Sequence, residues 1–206
     1  MIELFISAFV TFLVVIDPPG CAPIYASLTT GAAVQARRAM AIRAVFVASL
    51  ILLVFALFGE KLLGALGINL DSFRIAGGIM LFLIALEMVF EKRTQRREER
   101  AKEVQASPEH EDVSIFPMAI PMIAGPGSIA SVMLMMARSK GIEETFVVLA
   151  AMALVLVITL ACLIAAGPLM RMVGPKVEAV ITRLLGVLLA ALAAQFVIDG
   201  IKGNLA

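Results

Sequence analysis

The sequence has no tryptophan, one tyrosine (Tyr25) and one histidine (His110) among 206 residues. Tryptophan and tyrosine normally mark the two faces of a bilayer, so interfacial anchoring here falls to lysine, arginine and phenylalanine. A single histidine argues against His-rich metal sites, and neither a His-Glu-x-x-His nor a Gly-x-Ser-x-Gly motif occurs. No nucleophile, base and metal cluster converge in the sequence, so an enzyme is not expected, and neither is a cofactor. Cysteine is limited to Cys21 and Cys162. Both fall in apolar runs, which reads as two buried thiols rather than a disulfide. Charge of one sign is missing too: the formal net charge is +1, and nothing points to nucleic acid. The first apolar run lacks a basic n-region and is expected to be a span, not a cleaved signal.

Apolar residues are what the chain has in abundance. They make up 61% of it, with mean hydropathy +1.01, against roughly 45–50% in soluble domains. A bilayer core needs about 20 apolar residues per helix, and six segments qualify. They run from about Ile2 to Leu28, Ala44 to Phe58, Phe73 to Phe90, Ile115 to Ala137, Phe146 to Ala166 and Val180 to Ile198. Gly59, Gly167-Pro168 and Asp199-Gly200 are expected to end the second, fifth and sixth. The residues from Glu91 to Asp112 form the one long polar stretch, read as a solvated extension of the third span that becomes a loop near Ser107-Pro108. His110 lies there among Glu109, Glu111 and Asp112, and a solvated acidic loop is the plain reading. With the N-terminus outside, the inner segments hold 12 of the 17 lysines and arginines, so both termini are expected outside.

Two spans carry residues that a continuous membrane helix avoids. Asp17-Pro18-Pro19-Gly20-Cys21-Ala22-Pro23 interrupts the first. Ile120-Pro121-Met122-Ile123-Ala124-Gly125-Pro126-Gly127-Ser128 interrupts the fourth. Six of the nine prolines fall in these two spans. Pro19-Gly20 and Pro126-Gly127 are 107 residues apart, Gly59 and Gly167 108, and Arg74-Ile75-Ala76-Gly77 and Arg183-Leu184-Leu185-Gly186 109. Each half holds an odd number of spans, so the second half enters the membrane from the opposite side. The expected fold is all-α: six transmembrane helices as two inverted three-helix repeats, residues 1–90 and 114–206, joined by a polar cytoplasmic loop, 91–113, with spans 1 and 4 discontinuous.

Proline ends or kinks a helix, and Asp-Pro is also a helix start, with Asp as N-cap and Pro first in the helix. Irregular backbone survives at membrane depth only when it is buried in protein or lines a cavity. Two breaks therefore predict a cavity between them. Each new half-helix offers free N–H groups and a partial positive charge to an anion. Asp17 offers the opposite sign to an ammonium group, a proton or a cation. Small residues (Gly20, Ala22, Ala124, Gly127, Ser128, Ala130) leave room for a small zwitterion, and Ser27, Thr29, Ser128 and Ser131 are candidate polar contacts. Two alternatives stay open: Asp17 as no more than an N-cap, and the prolines and glycines as structural kinks. Arg74 and Arg183 read as snorkelling to headgroups, and Gly77-Gly78 and the alanines of the sixth span as close helix packing.

At these motifs the chain resembles the MarC family, also called the neutral amino acid transporter family. The matching residues are Asp17-Pro18-Pro19-Gly20 with Pro23 and Leu28-Thr29, Ala124-Gly125-Pro126-Gly127-Ser128-Ile129, and Arg74-Ile75-Ala76-Gly77-Gly78. The resemblance implies a six-span inner (cell) membrane carrier for small neutral amino acids such as glycine and alanine. With the residues, it points to a secondary transporter coupled to a proton or sodium ion. The expected binding residues are Asp17, Pro18, Pro19, Gly20, Cys21, Thr29, Ala124, Gly125, Pro126, Gly127 and Ser128. An exporter of another small solute, and a non-transporting membrane partner or regulator, are the alternatives. Cys21 follows the Pro-Pro-Gly where the family varies, which bears on side-chain selectivity.

Overall fold

Proline, glycine and asparagine set most of the helix boundaries. The computed structural model describes residues 1–106 and 112–205; His110, with Glu109 and Glu111, lies outside the described residues. Among the described residues the chain is helical and carries no strand. The elements are α1 (Ile2–Ile16), α2 (Pro18–Leu28), α3 (Val34–Ala65), α4 (Leu70–Val89), α5 (Lys92–Ala106), an irregular wide-turned segment (Ser114–Ile123), α6 (Pro126–Met136), α7 (Ile142–Ile164) and α8 (Ala166–Leu205). Pro18 and Pro19 open α2 and Pro126 opens α6, positions where the missing N–H costs nothing. The Asn69 side chain caps α4 by accepting from the Asp71 N–H.

Five helices or helix pairs are long and apolar enough to cross a bilayer: Ile2–Leu28, Val34–Ala65, Leu70–Val89, Ile142–Ile164 and Ala179–Leu205. A sixth crossing arises if Ser114–Ile123 and Pro126–Met136, which meet at 51°, count as one bent span. These are the six expected segments in the expected order, with three corrected ends. The second span does not stop at Gly59; α3 continues to Ala65. Gly59 is a packing position, since a Cβ there would lie 2.7 Å from Met133 Cγ. Gly167 and Pro168 do not end the fifth span either. That helix closes at Ile164, and both residues belong to the first turn of α8, where proline is tolerated. Gly200 likewise lies inside α8, which runs on to Leu205; its missing side chain lets the helix lie against the Asp71 carbonyl, 2.7 Å from where a Cβ would be.

The most extensive helix–helix interface joins α4 and α8. Gly78 of α4 meets Ala193 and Val197 of α8, and Gly186 of α8 meets Ala85 and Met88 of α4, the small-residue packing that membrane helices use in place of a hydrophobic drive. Around this pair, α1 and α2 pack on α7, while the Ser114–Ile123 segment and α6 pack on α3. Outward faces carry exposed Phe46, Leu50, Leu57, Leu184, Val187 and Leu188, as helices meeting acyl chains do.

The largest departure is at Glu91. Its left-handed backbone (φ 60°) turns the chain sharply after α4, and α5 folds back against α2, α4 and the Ser114–Ile123 segment. The stretch read as a solvated extension is therefore half buried: its acidic face (Glu98, Glu99) meets solvent, while Arg93 and Arg97 point inward. Two arginines expected to snorkel also have protein carboxylates as partners. Arg74 pairs with Asp71 at 2.6 Å and Arg183 with Glu91 at 2.6 Å.

Candidate functional site

Asp17 is both the end of α1 and the beginning of α2. Its backbone is left-handed (φ 58°, ψ 65°), a conformation that aspartate tolerates better than most residues and that stops a helix. The Asp17 N–H donates to the Leu13 carbonyl at 3.0 Å, which closes α1. Carboxylate atom Oδ1 accepts from the Gly20 N–H at 3.1 Å, which caps α2. Only glycine permits this approach, because a Cβ at position 20 would lie 2.2 Å from Asp17 Oδ2. The carboxylate is 2% exposed and its Oδ2 accepts from Arg97 at 2.9 Å; the Arg97 side chain is itself 11% exposed.

Arg97 reaches this position because α5 lies along α2. One turn earlier, Arg93 donates to the Val15 carbonyl and to Met88 Sδ, and Arg97 also donates to the Ile16 carbonyl at 3.4 Å. The two guanidiniums thus satisfy carbonyls that α1 leaves open at its end. Arg96 faces Glu87 of α4 in an ion pair. Arg93 has no carboxylate partner among the described residues. Desolvation lowers it to about 10, with Arg97 acting in the same direction and Asp17 against it; it is still a cation at neutral pH.

Beside these arginines is a cavity of about 200 Å³, lined by Val15, Ile84, Glu87, Arg93, Arg96, Arg97, Pro117, Pro121, Met122, Gly125, Pro126, Gly127 and Ser128. At about 30 Å³ per water it has room for roughly six or seven waters, or one small solute. Its far wall is the start of α6, where Gly125 is the N-cap and no side chain caps the free N–H groups. Gly127 lets α6 pack closely on two other lining residues, since a Cβ there would approach Ile84 Cδ1 to 2.5 Å and Val15 Cγ1 to 3.2 Å. Ser128 is 3% exposed and lines the cavity. Its hydroxyl has no hydrogen-bond partner among the described residues.

The profile described as "MarC family integral membrane protein" matches residues 2–205 of this sequence. The chain belongs to the MarC family. Among its relatives is the "UPF0056 membrane protein MJ1677" of Methanocaldococcus jannaschii, 38% identical over 204 residues, covering 99% of this chain and 98% of the relative. The "UPF0056 membrane protein YvbG" of Bacillus subtilis is 33% identical over 203 residues, covering 98% and 96%. The "UPF0056 inner membrane protein YhgN" of Escherichia coli is 33% identical over 197 residues, covering 96% and 95%. No solved structure matches.

In this MarC-family chain the residues read from the sequence divide into two groups. Gly125, Pro126, Gly127 and Ser128 line the cavity. Asp17, Pro18, Pro19, Gly20, Cys21, Thr29 and Ala124 do not. Asp17 touches the cavity only through Arg97. Cys21 is fully buried and its thiol donates to the Ile16 carbonyl at 3.4 Å. The buried Thr29 hydroxyl donates to the Tyr25 carbonyl at 2.7 Å. The residues that sequence reasoning missed are Arg93, Arg96 and Arg97. Their i, i+3, i+4 spacing places them on one helix face, and a buried Asp17 needs a cation; together those two signals point to α5. Among the described residues no three His, Cys, Asp or Glu side chains come together as a metal site.

The opposite end of the bundle is tied by other ion pairs. Arg138, just after α6, pairs with Asp199 of α8 at 2.6 Å and stacks over Phe196 at 4.2 Å. Arg74 donates to the Ala137 carbonyl at 3.2 Å. The cavity thus lies between α5 on one side and the Arg138–Asp199 pair on the other.

Proposed function

We propose that this protein is a secondary carrier of the inner (cell) membrane for a small neutral amino acid, glycine- or alanine-like, driven by a proton or cation gradient. The observation that carries this reading is the small, partly polar cavity at the start of α6, beside the Asp17 joint and bordered by α5. Two inverted three-helix repeats, with discontinuous first helices, give the reading its mechanical form. The packing supports them: the broken first span of each half lies against the second helix of the other, and the two third helices pair centrally. Both termini are outside in this scheme, which puts α5 on the cytoplasmic side and the Arg138–Asp199 pair on the outer side.

Transport then alternates between release of these two closures. On the inner side, α5 is held by Arg97 on Asp17. A proton or cation arriving at Asp17 competes with the guanidinium, loosens α5 and opens the cavity inward. On the outer side, parting of Arg138 from Asp199 frees the end of α6 from α8. The solute is held between by the α6 start, and rocking of one half against the other exchanges the exposed side.

The test is uptake of labelled glycine and alanine into proteoliposomes, with and without proton and sodium gradients, for the wild type and Asp17→Asn. Gradient-driven uptake that the variant loses is the expected result. Absence of uptake of either amino acid by well-folded wild-type protein would set the reading aside.

A further inference from the structure

We infer that the cavity at the start of α6 is a carboxylate-recognition subsite, anchored by Arg93 and the Ser128 hydroxyl, that takes small monocarboxylates whether or not they carry an amino group. The inference deepens the carrier reading by naming the group that is recognised, and it rests on that reading for the cavity's role.

Four observations lead to it. The cavity and the pair behind it hold three guanidiniums (Arg93, Arg96, Arg97) against two carboxylates (Glu87, Asp17), an excess of one positive charge. Both carboxylates are already engaged, Glu87 by Arg96 and Asp17 by Arg97. An incoming ammonium group therefore meets no free carboxylate, whereas an incoming carboxylate meets Arg93, the one of the three with no ion pair among the described residues. The Ser128 residue is 3% exposed and borders the cavity; its hydroxyl oxygen, unlike those of Ser114 and Thr182, is not sealed off, has no hydrogen-bond partner among the described residues, and is free to donate to an acceptor in the cavity. Pro126 has no N–H, so the first that α6 offers belong to Gly127 and Ser128; both residues line the cavity and have no side-chain cap, a helix start that favours an anion. Glu87 is the one lining group that opposes an anion, and its charge is met by Arg96.

About 200 Å³ has room for a small monocarboxylate of glycine, alanine or lactate dimensions together with a few waters.

The experiment is isothermal titration calorimetry on the full chain in detergent, with three probes. Glycine carries both charges, L-lactate only the carboxylate, and glycinamide only the ammonium. Glycine and L-lactate should bind within a few-fold of each other and glycinamide not at all. Arg93→Gln should weaken both by at least about tenfold, since it removes a charge-assisted bond, and Ser128→Ala should weaken both by a smaller factor. Binding of glycinamide equal to that of glycine would overturn the inference. So would failure of L-lactate to bind, or binding indifferent to both substitutions. If Arg93→Gln does not fold, the wild-type probe series and Ser128→Ala decide. L-lactate binding in a protein that transports no amino acid would sink the carrier reading and keep this one. Glycine uptake with binding indifferent to Arg93 and Ser128 would do the reverse.

Discussion

Replacing Asp17 by Asn removes a charge and almost nothing else, which makes the Asp17–Arg97 pair separable from the helix cap. Asparagine caps a helix about as well as aspartate, so the bond to the Gly20 N–H survives in Asp17→Asn. The bond to Arg97 loses its ionic part and leaves a guanidinium that is 11% exposed without its counter-charge. Stripping one partner from a buried pair costs roughly 3–5 kcal/mol; with Arg97 still reaching the cavity, the lower end, about 3 kcal/mol, is expected. Arg97→Gln should cost a similar amount by orphaning the carboxylate. In the double variant neither charge is stranded, so its loss should fall short of the sum of the single losses by about 2 kcal/mol. Asp17→Ala should be worse than Asp17→Asn by about 1 kcal/mol, the worth of the cap. Reversible unfolding in mixed detergent–SDS micelles, followed by circular dichroism, measures all four. Additivity of the two single variants within about 0.5 kcal/mol would refute the reasoning, because it would mean that α5 is not held at Asp17.

Other expectations follow from the packing. Gly127→Ala puts a methyl into the cavity wall 2.5 Å from Ile84 Cδ1. It should abolish glycine uptake while costing only about 1 kcal/mol in stability, because the end of the Ile84 side chain can move. Gly78→Ala instead meets the Ala193 carbonyl at 2.9 Å, backbone that cannot yield, and should destabilise the α4–α8 interface by about 1–3 kcal/mol; Gly64→Ala, with nothing within 4 Å, should stabilise by roughly 0.5–1 kcal/mol. The pair of melts checks this in one preparation. Cys21, fully buried, should resist N-ethylmaleimide in the folded protein and react after SDS unfolding, read by mass spectrometry. A periplasmic alkaline-phosphatase reporter fused at the C-terminus should be active if both ends lie outside, and silent if the charge asymmetry has been misread.

How much of this was legible in the sequence depends on whether the signal was local. The number and order of apolar segments, the end of α1 at Ile16 and the start of α2 at Pro18 were readable, because apolar length, Asp-Pro capping and the proline positions act within a turn or two. The glycines at 59 and 200 misled for the opposite reason: the same residue ends a helix or lets another helix approach, and only the neighbour tells which. The arginines of α5 were the costliest miss. A mixed-charge run beyond a span looks the same whether it is solvated or folded back, since what distinguishes the two is the partner, Asp17, some 80 residues earlier. The break at the start of α6 was legible; the cations across the cavity from it were not.

That the site's cations sit on α5 also bears on how the protein is made. An arginine placed at the centre of a span costs about 2.5–3.5 kcal/mol on insertion, and three would threaten the span that carried them. Here Arg93, Arg96 and Arg97 lie outside the apolar spans, so no span has to carry them through insertion. They reach the cavity from α5, which packs on α2 and α4 before the polar connection and on the Ser114–Ile123 segment after it. The cavity therefore cannot exist in either half alone. A chain that stops before Ser114 would lack the whole wall formed by Pro117, Pro121, Met122, Gly125, Pro126, Gly127 and Ser128.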